Sequence, residues 1–150
     1  MTIQEKQKII QARLKSTSEI LSKYGFYQPD ISTEYFDPLQ QEHLKVKWTS
    51  NNREFNLSFG EKDIHGNVKN LVSLSLIRLP YSDQKDFIGL NILLEKMNLE
   101  LKDQINEVPH GFEKSTDFYF KRLEELISTS LKNYFKGKSW DTNCWPDWHQ

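Results

Sequence analysis

Along residues 44–49 the apolar side chains of Leu44, Val46 and Trp48 alternate with Lys45, Lys47 and Thr49. Along 54–59 Phe55, Leu57 and Phe59 alternate with Glu54, Asn56 and Ser58. A period of two marks a half-buried strand, because successive side chains point to opposite faces. Asn51 and Asn52 lie between the runs, and asparagine tolerates the positive φ of a tight hairpin turn. A two-residue turn there sets Trp48 opposite Phe55, Val46 opposite Leu57 and Leu44 opposite Phe59, all on one face. A slip of one residue breaks every pair.

The run LVSLSLIRL at 71–79 reads as the central strand of the same sheet. With His65-Gly66 as the turn, Phe59 faces Val72, Leu57 faces Leu74 and Phe55 faces Leu76; a turn on Gly66-Asn67 keeps the same faces. Ser73 and Ser75 then stand with Lys45, Lys47, Asn56 and Ser58 on the polar side, and Pro80 stops the ladder. A short edge strand is predicted over 31–36, limited by Pro29 and Pro38.

Helical spacing appears on either side of these strands. Ile3, Ile10, Leu14 and Leu21 predict an amphipathic helix over 2–24, with Thr2 and Glu5 as a capping box and Gly25 as its stop. Its polar face is basic (Lys6, Lys8, Arg13, Lys15, Lys23) and reads as a solvated surface. Phe87, Leu90, Leu94, Met97 and Leu101 predict a second helix from Ser82 or Asp83 to about residue 105, acidic on its polar side. The two charge patterns are complementary, within one molecule or between two copies as a homodimer. Phe120, Leu123, Ile127, Leu131 and Tyr134 predict a third helix over 116–136, closed by Gly137. The expected fold is therefore α+β: an N-terminal helix, a three- to four-stranded antiparallel meander and two C-terminal helices packed on one sheet face. Residues 1–137 form one domain in this reading, and 138–150 a Trp-rich tail.

The 150 residues suffice for one core, and a net charge of −1 supplies no general field for nucleic acid or anionic membrane. Cys144 is the only cysteine, so no intramolecular disulfide can form and a reducing compartment is expected. The first ten residues lack the apolar run of a secretory signal, and no other run is long enough to span a bilayer. The expectation is a cytoplasmic protein without a membrane partner.

No HExxH, GxGxxG, P-loop or GxSxG stretch occurs. His43, His65 and His110 are scattered, and Glu34, Asp37 and Glu42 read as solvated turn carboxylates. Asp141, Cys144, Asp147 and His149 share the tail but match no zinc spacing. The chain is expected to be non-enzymatic, with no cofactor and no metal.

Two surfaces remain as candidates for binding another protein. Trp140, Trp145 and Trp148 are costly to leave in water, so the tail either folds back over the sheet edge or helices, or anchors in a partner. Lys45, Lys47, Asn56, Ser73 and Ser75 would form a flat polar sheet face, without the core-facing aromatic residues that base stacking needs. The alternative is a nucleic-acid binder using Lys132, Lys136 and Lys138 near Tyr134 and Trp140. The general type, a small single α+β domain with an aromatic tail, resembles many bacterial immunity proteins, inhibitors and secretion chaperones. That resemblance implies a module that occupies a partner's surface without turnover.

Overall fold

Thr2 sets the start of the first helix. In the computed structural model, which describes residues 2–36, 41–59, 71–99 and 111–145, the Thr2 hydroxyl accepts the Glu5 N–H at 3.1 Å and donates to the Glu5 carboxylate at 3.2 Å. α1 runs Ile3–Ser22 and buries Ile10, Leu14 and Leu21. It stops at Gly25, whose φ of 88° lets the N–H groups of Gly25 and Phe26 return to the carbonyls of Ser22 and Leu21.

Five antiparallel strands then add in sequence order: β1 Asp30–Phe36, β2 Gln41–Thr49, β3 Arg53–Phe59, β4 Leu71–Arg78 and β5 Phe87–Gly89. The 71–79 run is thus not central, because β5 adds outside it and β3 takes the middle place. The β2–β3 register is the expected one, with Trp48 opposite Phe55, Val46 opposite Leu57 and Leu44 opposite Phe59. Its turn is closed differently. Among the described residues Asn98 is the only non-glycine at positive φ, so Asn51 and Asn52 do not use the left-handed region. Instead Ser50 donates its N–H to the Arg53 carbonyl at 2.8 Å, and its hydroxyl accepts the Arg53 N–H at 3.0 Å.

Between β3 and β4, Leu57 faces Leu74 and Phe55 faces Leu76, but a register shift after Ser58 brings Phe59 opposite Leu71 in place of Val72. An irregularity of this kind sets an extra residue on one strand at the sheet end. The expected turn at 65–67 lies outside the described residues.

The predicted helix over 82–105 is not formed as one element. Asp83 accepts the Lys85 N–H at 2.8 Å and winds a single 3-10 turn at Gln84–Asp86. Phe87–Gly89 then extends as β5, with Ile88 opposite Leu76 and fully buried. The ladder satisfies the backbone while burying Ile88, and that pairing outweighs the helical spacing. α2 is short, Leu90–Lys96, and ends at Asn98 with φ 57° as the Asn98 and Leu99 N–H groups return to the Glu95 and Leu94 carbonyls. Leu101 lies outside the described residues.

The third predicted helix is divided. α3 spans Phe112–Ser128, so it begins before Thr116, and α4 spans Lys132–Phe135. The break falls at Thr129, whose hydroxyl donates to the Glu125 carbonyl at 2.7 Å while its backbone leaves helical geometry. Gly137, at φ 78°, closes α4 as expected.

The helices meet the apolar sheet face. Trp48 stacks on Phe55 at 5.4 Å, Phe55 meets Phe135 of α4 edge-on at 4.9 Å, and Phe59 stacks on Phe120 of α3 at 5.6 Å. The Trp48 indole N–H donates to Ser18 of α1 at 3.1 Å, and the five aromatic residues belong to one buried cluster. The basic face of α1 is complemented by α3: Arg13 binds Asp117 at 2.9 Å and Glu124 at 2.7 Å. Glu124 also accepts from Ser16 and Thr17.

Phe55 is the shared contact of β2, β3 and α4. Phe55→Ala is expected to lower unfolding stability by about 3–5 kcal/mol, the usual range for deleting a buried aromatic ring, measured by urea denaturation.

Candidate functional site: the polar sheet face

Alternation sends the polar residues of the sheet away from the helices. The register aligns Asp30, Lys47, Asn56, Ser75 and Gly89 in one lateral row across all five strands. Thr49, Glu54, Ile77 and Phe87 form the next row, and Ser32, Lys45, Ser58 and Ser73 the row on the other side. Lys47 to Gly89 spans three strand spacings, about 14 Å. The middle row tapers from lysine to glycine and so forms a shallow polar floor.

Asn56 is its centre. It is only 6 % exposed, yet it lies on the face opposite the core. Its amide N–H donates to Glu54 at 2.8 Å, and Glu54 also meets Lys47 at 3.6 Å. A carboxylate only accepts, so this bond fixes the amide with its oxygen turned away. That oxygen, Oδ1, is buried without a hydrogen-bond partner. Leaving such an acceptor unsatisfied costs about 1–3 kcal/mol. Ser75, 9 % exposed, lies beside it, while Lys45, Lys47 and Ser58 remain partly exposed.

The face also has an aromatic corner that sequence reasoning missed. Phe87 shares the side of Ile77 and Glu54, and Trp145 meets it edge-on at 5.0 Å. The spacing of Phe87 with Leu90, Leu94 and Met97 reads as a helical stripe, which hides its strand position.

Trp145 arrives there because the tail, as far as it is described, docks on its own domain. The Gly89 N–H donates to the Cys144 carbonyl at 2.9 Å, and Lys96 donates to the Asn143 carbonyl at 2.7 Å. Trp140 donates to the Lys85 carbonyl at 2.7 Å and stacks under the Arg78 guanidinium at 4.6 Å. Trp148 lies outside the described residues, as do Asp147 and His149. Asp141 and Cys144 do come together, beside Lys96. Burial, then the Asp141 charge, pushes the Cys144 thiol up to about 11, and the Asn143 N–H bond holds the Asp141 carboxyl below its usual range. A thiol held protonated and enclosed in this way is a poor nucleophile. Among the described residues no group of three His, Cys, Asp or Glu side chains is arranged to hold a metal ion, and no helix is long and apolar enough to cross a membrane.

Lys132, Lys136 and Lys138 cluster on α4 and its closing turn, away from the contacts of Trp140. Repulsion from Lys132, and more weakly from Lys138, holds the Lys136 ammonium below its ordinary pKa. Comparison of the chain with protein-family models, with curated proteins and with solved structures finds no match.

With its pKa near 11, only about one Cys144 in a thousand is a thiolate at pH 8, so native protein should resist Ellman's reagent until denaturant is added. The fold keeps a proton that the unfolded thiol surrenders near pH 9, so this contribution to stability is intact below pH 9 and lost as pH rises through about 11. The alkaline loss measured by denaturation should be smaller in Cys144→Ala, and the remainder comes from Tyr119 and Tyr134, whose phenols burial also raises.

Proposed function

We propose that the chain is a small non-enzymatic protein-binding module that acts by occupying a partner's surface with the polar face of its sheet. The observation that carries this reading is the set of Lys45, Lys47 and Ser58, partly open on the sheet face opposite the core, with the Phe87–Trp145 aromatic pair at one corner of that face. The row from Lys47 through Asn56 and Ser75 to Gly89 spans about 14 Å across four strands, a breadth that suits a macromolecular surface. Phe87 and Trp145 supply an aromatic anchor at one corner, and Lys45 and Lys47 a charged rim. A lone, protonated, buried cysteine is compatible with a reducing, cytoplasmic setting.

The second reading, nucleic-acid binding, has the lysine cluster of α4 in its favour but loses Trp140 as a stacking platform, since that ring is engaged by Arg78.

The test is affinity capture from the native cells with the tagged full chain, comparing wild type, Ser58→Arg and Trp145→Ala, each verified as folded by circular dichroism. One protein retained through nuclease and high salt by wild type, and lost with Ser58→Arg, is the expected result. Equal capture by wild type and Ser58→Arg ends the sheet-face reading; nucleic acid released by salt favours the second.

A further inference from the structure

The charges of this chain nearly balance overall. Its 20 Lys and Arg face 21 Asp and Glu, and Arg13, Lys47, Arg78, Lys96 and Lys121 each meet a carboxylate. The turn around Gly137 instead gathers three cations close together in the chain. Lys132 opens α4 and Lys136 caps its end four residues later, Lys138 follows one residue after Gly137, and none of the three forms an ion pair with a described residue.

Arg53 lies against the same turn. A Cβ placed on Gly137 would stand 3.6 Å from its guanidinium carbon, so glycine is needed there for this approach as well as for φ 78°. Arg53 is 7 % exposed, and its guanidinium's partners are all neutral: the Tyr24 carbonyl at 3.0 Å, the Tyr134 carbonyl at 3.4 Å and the Asn52 side-chain oxygen at 3.3 Å. Its face lies 5.0 Å from the Phe26 ring. A buried cation without a carboxylate adds positive potential that its own shell does not cancel.

We propose that the Gly137 turn is a binding site for a multiply charged phosphate anion, gripped by Lys132, Lys136 and Lys138 over the uncompensated charge of Arg53. The three lysines bring flexible, rotatable ammonium donors to one open surface, a form suited to tetrahedral oxyanions. Arg53 is too enclosed to touch the anion and acts through its field. An anion here relieves the repulsion among the lysines, which the fold otherwise leaves standing. The site is separate from the sheet face and does not depend on its role.

The experiment is isothermal titration of the full chain with sodium tripolyphosphate at low salt, and in a parallel arm with a short single-stranded oligonucleotide. Saturable tripolyphosphate binding that weakens about tenfold or more in Lys132→Gln/Lys136→Gln is expected, since two charge-assisted contacts are lost. The equal charge loss of Lys8→Gln/Lys15→Gln on α1 should leave it within about twofold. Tighter oligonucleotide binding through the same lysines identifies a polynucleotide backbone as the phosphate source, and weaker binding a free polyphosphate. No saturable binding in either arm, or equal weakening by the α1 variant, overturns the site. All four substituted lysines are exposed, so folding, verified by circular dichroism, is retained.

Discussion

The constraint on which this structure depends is the register of β2 against β3. A two-residue turn held by Ser50 puts Trp48 on Phe55, and that aromatic pair is the floor onto which Phe135 and Ser18 bring α4 and α1. Because side chains alternate strictly across a strand, the same register that collects the apolar residues on one face must collect Lys45, Lys47, Asn56 and Ser58 on the other. Core and candidate binding face are two results of one pairing.

Arg53, the first residue after that turn, ties the periphery to it. Its guanidinium binds carbonyls that follow α1 and end α4, and its position against Gly137 holds the lysine-bearing turn close to the hairpin. Arg13 does related work elsewhere with the opposite electrostatics, joining α1 to α3 through two carboxylates. Arg13 is neutralised by carboxylates, whereas the described partners of Arg53 are neutral.

The tail shows how much burial decides. Trp140 and Trp145 are covered by the chain's own Arg78, Lys85 and Phe87, and Cys144 is fully enclosed beside Gly89. The outer side of β5 therefore receives a main-chain bond from the tail, which reduces the open edge that a three-residue strand would otherwise present. Trp145 is thereby delivered to the polar face, turning a uniformly polar floor into one with an aromatic corner.

The strand faces, the β2–β3 register, the capped start of α1 and the glycine stops at Gly25 and Gly137 were determined by the sequence itself, because each rests on local spacing or on a backbone angle that few residues adopt. The fate of Phe87 and Ile88 was not, since their spacing serves helix and strand equally and the choice fell to β4, where Leu76 offered a partner to bury Ile88. The bulge beside Phe59, the break at Thr129 and the convergence of Arg53, Gly137 and the α4 lysines were likewise settled by tertiary packing. These features join residues far apart in the chain, and the energy that selects them comes from contacts which exist only once the sheet and helices have met.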